Sequence, residues 1–492
     1  MRFPAAFGTY TGHRKKTKNA QAHNMTRRTK IVATVGPASS SEEMLRKLAE
    51  AGVNVFRLNF SHGTADDHRE RVKSIRKIEK ELGRPISILQ DLQGPKFRVG
   101  TFADNGAKLE AGQRFIFTLD DVVGDTKRVK LPHPEIFRSI MPGNELMVDD
   151  GKMRFRVTGI TDDEITTEVM LDGTLRDRKG VNLPGADIDI LALTEKDLKD
   201  AETGKELGVD WVALSFVQRP DDLYEARKRI GDNVGLCAKI EKPGAIRHLE
   251  EIVRLSDAIM VARGDLGVEL PPEDVPGYQR DIISACRKAG KPVIVATQML
   301  ESMITAPTPT RAEASDVATA VFNGSDAVML SAESAAGDYP VEAVSTMARI
   351  ITSTEGYSNY RSIMSIDHQD IHDTVPHAVA KSATDLADNI RARAIVVFTA
   401  SGTTASRISR ERPMIETIAF VPNREVAGRV AMQWGVRPVI EPESFDMEGM
   451  QNAVTKELTE RGIAKPGDPV VIVAGFPFGV SGSTNLVRVH TV

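Results

Sequence analysis

The sequence is poor in cysteine, in long apolar runs and in net charge. Two cysteines, Cys237 and Cys286, are too few for a disulfide framework in 492 residues. No run of about 18 apolar residues occurs, and the first residues lack the apolar segment of a secretory signal. Lys and Arg number 64 against 68 Asp and Glu, a net charge of −4. This balance argues against nucleic acid or an anionic membrane as the main partner. We therefore expect a reduced, cytoplasmic globular protein.

From Thr29 the chain repeats one pattern: a short apolar run, polar residues at its end, and an amphipathic helix. Runs rich in Val, Ile and Leu are typical of parallel strands buried on both faces. Eight occur: Lys30–Val35, Val53–Phe60, Ile86–Leu92, Asp210–Val217, Val234–Glu241, Ala258–Gly264, Pro292–Gln298 and Asp326–Glu333. Eight strand–helix units predict a (β/α)8 TIM barrel, whose chemistry lies at the C-terminal strand ends.

Two further regions have a different texture. Met153–Thr158 and Ile165–Leu171 alternate apolar and polar residues, which predicts a small β-barrel domain inserted in a barrel loop. Because this loop lies over the catalytic face, we interpret the insertion as a lid, with a passive insertion as the alternative. After about Thr354, apolar runs alternate with helical stretches and predict an α/β domain with a mostly parallel sheet.

The predicted organisation therefore has an arm and three domains. Residues 1–28 are basic and unpatterned, and we interpret them as an arm that is disordered or lies upstream of a true start at Met25. A targeting segment is the alternative. The remaining ranges are 29–94 for the first part of the barrel, 95–187 for the lid, 188–354 for the second part of the barrel and 355–492 for a C-terminal regulatory domain.

Polar residues end seven of the eight predicted strands. They are Arg57, Asn59 and Ser61 on the second, Asp91 on the third, Ser215 on the fourth, Lys239 and Glu241 on the fifth, Arg263 and Asp265 on the sixth, Thr297 on the seventh and Glu333 on the eighth. Each alone could be a strand cap. Because parallel strand ends converge on one rim, the set indicates an active site.

The residue types on this rim suit metal-assisted chemistry on an anion. Glu241 and Asp265 offer hard oxygen ligands for Mg²⁺ or Mn²⁺. Lys239 would place a cation beside the metal, and Arg57 is a fork for carboxylate or phosphate. Such a rim fits a metal-dependent phosphotransferase. A metal-dependent lyase or aldolase acting on an oxo-acid remains open at this point.

Five segments of the chain resemble the signature of the pyruvate kinase family. In the family's order and spacing they are Val55–Gly63, Ala238–Glu241, Val261–Glu269, Ala296–Leu300 and Pro309–Glu313. The resemblance spans about 29–492. It implies phosphoryl transfer from phosphoenolpyruvate to ADP, giving pyruvate and ATP in the last step of glycolysis, by an enzyme that is usually a homotetramer. An inactive regulatory homologue is the alternative, although it would be expected to lack Lys239 or a metal ligand.

The resemblance also implies roles for single residues. Glu241 and Asp265 resemble the divalent-metal ligands, and Lys239 the lysine that stabilises charge on the phosphoryl group and the enolate. Arg57 matches the arginine at the phosphate, and Thr297 the threonine linked to protonation of enolpyruvate. The implied substrate-binding set is Arg57, Lys239, Gly264, Asp265 and Thr297. The positions that match nucleotide-binding residues are Asn59, His62, Arg98 and Lys179.

A lysine stands at position 96, where many family members have a glutamate that accompanies a bound potassium ion. The other positions matching this ion's site are Asn59, Ser61, Asp91 and Leu92. At about 4 Å and an effective dielectric near 20, one charge is worth roughly 4 kcal/mol, on the order of a thousandfold in rate. Lys96 would supply that charge, so we expect K⁺ to be dispensable. The alternative is that Lys96 pairs with a lid acid.

A loop of small residues in the third domain suits a phosphate, because it precedes a predicted helix. Its candidate residues are Thr399, Ser401, Gly402, Thr403 and Thr404. The resemblance implies a phosphorylated allosteric effector there, such as a sugar phosphate or a nucleoside monophosphate. An ordinary helix cap is the alternative.

Overall fold

The structure is a computed structural model that describes residues 27–185, 188, 190–364, 374–441, 446–476 and 483–492. Residues 1–26, which make up almost all of the predicted arm, lie outside this description. Arg27 and Arg28, the last two residues of the predicted arm, contact later parts of the chain. Arg27 Nη2 donates to Asn54 Oδ1 at 2.8 Å, and Arg28 N donates to Glu355 Oε2 at 2.8 Å.

Eight strands form a closed parallel barrel, as the sequence predicted. They are β1 (Lys30–Val35), β2 (Val55–Asn59), β3 (Ser87–Asp91), β12 (Trp211–Leu214), β13 (Gly235–Ile240), β14 (Ala258–Ala262), β15 (Val293–Ala296) and β16 (Ala327–Leu330). β16 pairs with β1 and closes the ring. The strands are buried almost throughout, because helices cover their outer faces and side chains fill the interior.

Helices surround the barrel. They are α1 (Glu42–Ala51), α2 (Ala65–Leu82), α4 (Glu195–Leu207), α5 (Pro220–Ile230), α6 (Pro243–Arg247), α7 (Leu249–Leu255), α8 (Arg263–Glu269), α9 (Val275–Ala289), α10 (Arg311–Phe322), α11 (Ala332–Ala335), α12 (Pro340–Glu355) and α13 (Tyr360–Met364), with a 3-10 helix at Glu301–Ile304. The predicted capping box is present at α10, where Thr310 accepts from the Glu313 N–H and Glu313 reaches back to Thr310.

Two predicted strand runs extend into helices. The eighth run includes Glu333, but β16 ends at Leu330 and Glu333 lies in α11. The sixth run was read as a strand through Gly264, which put Arg263 and Asp265 on one strand face. Strand β14 ends at Ala262, and Arg263 begins helix α8. Since residues two apart point in different directions on a helix, Arg263 and Asp265 diverge. Arg263 therefore has a different environment from Asp265.

The insertion between β3 and β12 has its own hydrophobic core, in which Phe115, Phe117 and Phe155 pack against one another. Its strands form a six-stranded and a two-stranded sheet. They are β4 (Gly106–Leu109), β5 (Arg114–Thr118), β6 (Arg128–Lys130), β7 (Glu145–Val148), β8 (Met153–Ile160), β9 (Glu164–Val169), β10 (Gly173–Arg176) and β11 (Val181–Asn182), with one helix, α3 (Pro134–Ser139). The separate core supports the proposal that residues 95–187 are a domain of their own.

The C-terminal region is an α/β unit with a five-stranded sheet in the order β19-β18-β17-β20-β21. The strands are β17 (Ala394–Phe398), β18 (Glu416–Val421), β19 (Val436–Ile440), β20 (Pro469–Gly475) and β21 (Thr484–Thr491). The helices are α14 (Val375–Asn389), α15 (Thr403–Arg410), α16 (Arg424–Val430) and α17 (Met447–Glu460). Only the β20–β21 pair of this sheet is antiparallel, so the prediction of a mostly parallel sheet is confirmed.

Helix α13 packs with the barrel domain. Tyr360 and Met364 are buried in the same hydrophobic cluster as the barrel strands and helices. We therefore propose that the barrel domain extends at least to residue 364, instead of ending at 354. Within the part of the chain that the structure describes, none of the helices has the length and apolar character needed to traverse a bilayer.

Candidate active site

A buried ion cluster lies at the C-terminal ends of β2, β3 and β13. Lys239 Nζ lies 3.2 Å from Asp91 Oδ1 and 2.9 Å from Glu241 Oε1, and it donates to Ser215 Oγ at 2.8 Å. Arg57 Nε donates to Asp91 Oδ2 at 2.7 Å. Parallel strands bring these five side chains to one rim although they are far apart in sequence.

The cluster favours the charged forms of Lys239 and Asp91. Burial lowers the pKa of Lys239, but Asp91 and Glu241 outweigh burial and the net pKa is raised. Burial raises the pKa of Asp91, yet Lys239 and Arg57 together bring it below its ordinary value. The result is a fixed ammonium and a fixed guanidinium, with side chains 11% and 12% exposed. Both can face an incoming anion.

Glu241 differs from Asp91 in the direction of its pKa shift. Burial raises the pKa of its carboxyl, Lys239 opposes the shift, and the charge of Asp265 raises the pKa further. Its second oxygen, Oε2, accepts from the Phe216 backbone N–H at 2.8 Å. Phe216 itself has a φ of 60°, in the left-handed region. Since the charge of Asp265 acts on the Glu241 carboxyl, a cation beside the two carboxylates would relieve their repulsion.

The residues present fit a divalent metal. Over the described ranges, the Asp265 carboxylate takes part in no hydrogen bond or ion pair. The same ranges hold no group of three or more His, Cys, Asp or Glu side chains placed to bind one ion. The protein would thus supply two carboxylates, and the substrate and water would supply the rest. That donor set is typical of Mg²⁺, which is usually bound by one or two carboxylates plus substrate oxygens.

Thr297 has an unusual backbone conformation. Its φ is 70°, and Gln298 follows with a φ of 54°. A β-branched residue seldom adopts this region, and such strain costs on the order of 1–3 kcal/mol. The hydroxyl Oγ1 accepts from the Gly264 backbone N–H at 2.8 Å and donates to Ala296 O at 2.6 Å. The strained turn therefore holds the Thr297 hydroxyl against the first turn of α8.

The predicted nucleotide-binding residues lie on two domains. Asn59 is the last residue of β2 and His62 follows it on the barrel; Asn59 Oδ1 accepts from Ser61 N at 3.1 Å, and His62 is exposed. Arg98 and Lys179 lie in the inserted domain. Arg98 Nη1 donates to Arg178 O at 3.1 Å, and Lys179 Nζ lies 2.9 Å from Asp149 Oδ1.

Lys96 lies at the edge of a cavity of about 470 Å³ whose lining also includes Arg98, Lys130, His133 and Arg178. Its side chain is half-buried and lies against Gly180 of the insertion, where an added Cβ would come within 3.2 Å of Lys96 Cε. Across the described chain no carboxylate forms an ion pair with Lys96.

The residues matching the potassium site are engaged with protein groups. Asp91 binds Arg57 and Lys239, Leu92 O accepts from Ser215 Oγ at 2.8 Å, and Asn59 Oδ1 accepts from Ser61 N.

Comparison with known proteins shows the family of this chain. The family model of the pyruvate kinase barrel domain matches residues 26–344, and that of the pyruvate kinase alpha/beta domain matches residues 377–490. A protein named pyruvate kinase from Agrobacterium vitis is 54% identical over 465 residues, which cover 94% of this chain and 98% of that protein. Pyruvate kinase of Methylorubrum extorquens is 50% identical over 466 residues, 95% and 98% of the two chains. The chain belongs to the pyruvate kinase family.

Membership of the pyruvate kinase family makes the protein a phosphotransferase enzyme. The fold agrees: a crystal structure described as a pyruvate kinase from Cryptosporidium parvum superposes with a TM-score of 0.89 at 34% identity. The match covers 94% of this chain and 96% of that one.

Sequence reasoning missed several contacts around this pyruvate kinase site. Arg57 Nη1 donates to Thr34 Oγ1 at 3.0 Å. Thr34 lies near the end of the first predicted strand, so its position at a strand end could have indicated this contact. Asn182, at the base of the insertion, donates to Glu269 Oε1 at 2.8 Å, and Lys242 Nζ contacts the same oxygen at 2.5 Å. These three residues come from separate segments, and no local pattern indicates that they meet.

The candidate effector loop joins β17 to α15. Gly402 precedes the helix with a φ of 91°, and its N–H donates to Thr399 Oγ1 at 3.0 Å. Ser401 Oγ lies 2.8 Å from Thr403 Oγ1, and Thr404 Oγ1 lies 2.7 Å from Thr484 Oγ1, so Thr404 faces β21. A neighbouring cavity of about 280 Å³ is lined by Ser401, Gly402 and Thr403 together with Lys291, Arg407 and Arg429. Three of the five predicted loop residues therefore border a basic cavity.

Proposed function

We propose that the chain is a Mg²⁺-dependent pyruvate kinase that transfers a phosphoryl group from phosphoenolpyruvate to ADP, giving pyruvate and ATP. The observation that carries this proposal is the position of Lys239 between Asp91 and Glu241 at the open end of the barrel. A fixed ammonium there meets the charge of a moving phosphoryl group without having to reorganise.

The residues of the cluster divide the work of binding and transfer. Arg57 is held by Asp91 and Thr34 and would bind the phosphate of phosphoenolpyruvate. During transfer the bond from phosphorus to the enol oxygen breaks, and an oxygen of the ADP β-phosphate forms the new bond. The electron pair stays on the enol oxygen, where Lys239 offsets the negative charge.

Glu241 and Asp265 would hold Mg²⁺, which when bound supplies positive charge to the oxygens of both substrates. Lys239 remains an ammonium because the two carboxylates beside it raise its pKa. The Gly264 backbone and the Thr297 hydroxyl lie together at the first turn of α8. We propose that Thr297 positions the proton donor, through water, that protonates the methylene carbon of enolpyruvate.

On the nucleotide side, we propose that Asn59 and His62 on the barrel and Arg98 and Lys179 on the insertion bind ADP. Because these residues come from two domains, a nucleotide between them would draw the insertion towards the barrel. This supports the interpretation of residues 95–187 as a lid.

We further propose that Lys96 makes the enzyme independent of K⁺. Support comes from the half-buried ammonium without an ion pair to a lid acid in the described chain, and from the engagement of Asp91, Leu92 and Asn59 with protein groups. A phosphorylated effector at Ser401, Gly402 and Thr403 is likewise proposed, supported by the basic cavity beside that loop. Assembly as a homotetramer and a cytoplasmic location complete the proposal.

A coupled assay for pyruvate tests these points together. Purified protein with Mg²⁺, phosphoenolpyruvate and ADP should form pyruvate and ATP at the same rate with and without K⁺, in buffer free of sodium. A fall of about a hundredfold without K⁺, restored by K⁺, would show that Lys96 does not replace the ion's charge. Sugar phosphates and nucleoside monophosphates added in turn should shift the phosphoenolpyruvate curve in wild type and not in Ser401→Ala. If no compound shifts either curve, the effector site is refuted.

A further inference from the structure

The strained turn at Thr297 is held in place by one guanidinium group. Arg263 Nη2 donates to the Thr297 backbone carbonyl at 2.7 Å, lies 3.4 Å from Gln298 O and 2.9 Å from Met299 Sδ. Thr297 and Gln298 are the two residues with positive φ in this turn. The arginine therefore contacts the segment at the point where its backbone needs external support.

The same guanidinium is fixed from its other side. Arg263 Nη1 donates to Asp316 Oδ1 on α10 at 2.7 Å and to Gln279 Oε1 on α9 at 3.3 Å. The Arg263 side chain is 12% exposed. Both terminal nitrogens are thus committed to protein groups, so Arg263 holds the turn and is not placed to bind substrate.

We propose that Arg263 is the positioning residue for the Thr297 hydroxyl, and that Asp316 in turn fixes Arg263. The inference rests on the proposed role of Thr297 in protonating enolpyruvate. Arg263 is directly followed by Gly264, whose N–H donates to Thr297 Oγ1. One residue therefore positions both partners of this hydrogen bond. The peptide bond between Arg263 and Gly264 carries the donating N–H, and the Arg263 guanidinium holds the backbone carbonyl of Thr297, whose hydroxyl accepts.

This arrangement predicts a non-additive mutational pattern. If Arg263 acts through Thr297, replacing both residues should lower kcat little more than replacing Thr297 alone. Residues that act as a unit do not contribute independently to kcat. A purely structural arginine would instead add its own loss to that of Thr297→Ala.

The test compares Thr297→Ala, Arg263→Met and the double variant. We expect Arg263→Met to lower kcat by roughly tenfold to a hundredfold, as for a small misplacement of a catalytic group, with a much smaller change in KM for phosphoenolpyruvate. The double variant should lie within about twofold of Thr297→Ala. A second readout is the exchange of the pyruvate methyl protons in D₂O with Mg²⁺ and ATP, followed by NMR. Arg263→Met should slow this exchange as Thr297→Ala does.

Arg76→Met is the matched control. Arg76 pairs with Asp210 at 2.9 Å at the opposite end of the barrel, so this variant also loses an arginine–aspartate contact. It should lower the melting temperature and leave kcat and exchange unchanged. Asp316→Ala removes the support without altering Arg263 and should give a weaker version of the Arg263→Met result, which keeps the test available if Arg263→Met does not fold.

The outcomes separate the two proposals. Losses that multiply in the double variant, or a wild-type kcat in both Arg263→Met and Asp316→Ala, overturn the positioning role alone. A wild-type kcat in Thr297→Ala overturns the role of Thr297 and, with it, this inference. A wild-type protein that forms no pyruvate from phosphoenolpyruvate and ADP overturns the proposed function itself.

Discussion

Lys239 is a buried cation whose carboxylate neighbours, Asp91 and Glu241, lie on β3 and directly after β13. Burying charges costs free energy unless they are paired and hydrogen-bonded. Here the two carboxylates stabilise the ammonium by more than burial destabilises it, and the pKa of Lys239 is raised. Such a site is poorly optimised for stability alone and well suited to a ligand that brings a divalent cation and an anion together.

Replacing this lysine tests the central residue of the site. Lys239→Met should reduce turnover by several orders of magnitude, because the charge on the transferring phosphoryl group and the enolate would no longer be offset. Metal binding should survive, since Glu241 and Asp265 remain. Turnover is measured by the coupled assay and binding by titration with Mn²⁺.

Thr297→Ser is the comparison variant at the same rim. It should lower turnover only slightly, because the hydroxyl remains. A Lys239→Met protein with near-normal turnover would remove the lysine from its proposed role.

At the scale of elements, the N-terminal cap of helix α10 connects this helix to a neighbouring loop. Glu313 of the α10 capping box accepts from Thr310 N at 2.7 Å and also from Ser302 N at 2.7 Å and Ser302 Oγ at 2.5 Å. It thereby ties the start of α10 to the segment that follows Thr297. The same helix carries Asp316, which holds Arg263.

Glu313→Ala should therefore affect both stability and catalysis. We expect the melting temperature to fall by a few degrees, because a helix cap and a loop contact are lost together. We also expect a lower kcat, because the Asp316 support shifts. Differential scanning fluorimetry and the coupled assay measure the two effects.

Asp67→Ala in α2 is the matched control for this variant. It removes the partner of Thr64 in an equivalent capping box, and among the described residues Asp67 has no hydrogen bond to a second segment of the kind that Glu313 has to Ser302. Its kcat should stay at the wild-type value. Equal kcat values for Asp67→Ala and Glu313→Ala would show that the α10 cap does not reach the site.

At the scale of the whole molecule, charged residues join the N-terminal face of the barrel to the C-terminal domain. Asp210 binds Arg424 at 2.7 Å, and Asp326 binds Arg412 at 3.0 Å. Lys30, at the start of β1, donates from Nζ to Val436 O at 2.7 Å. These contacts link β19 and the neighbouring helices to the strands whose other ends form the site.

Lys30 should make this interface depend on pH. Burial and, to a smaller extent, the charge of Arg27 lower the pKa of Lys30 to about 7, against an opposing effect of Glu416. The unfolded chain keeps the ammonium up to its ordinary pKa of 10.5, so between these values the unfolded state binds more protons. Stability therefore increases with pH in this window, by at most about 1.4 kcal/mol per pH unit, and the penalty is greatest below pH 7.

Lys30→Met removes this titration. The melting temperature of wild type relative to Lys30→Met should rise between about pH 7 and about pH 9. Lys77→Met, at an exposed lysine of α2, should show no such trend relative to wild type. A constant difference between wild type and Lys30→Met would contradict the low pKa.

The sequence by itself determined the barrel, because parallel buried strands need continuous apolar runs and their helices need caps, and both are local patterns. It also placed Lys239, Glu241, Asp91 and Arg57 on one rim, since the strand ends of such a barrel converge by geometry. The end of β14 was misjudged because nothing local distinguishes a strand that continues from a helix that starts at Arg263.

Only the tertiary structure decided which partners the polar residues take. The clamp of Arg263 on Thr297, the support from Asp316 and the contact of Asn182 with Glu269 join segments that are tens of residues apart. Such hydrogen bonds form only when the distance between donor and acceptor is correct to within a few tenths of an ångström and the side chain points in the right direction. Residue order carries no such information until the chain has packed.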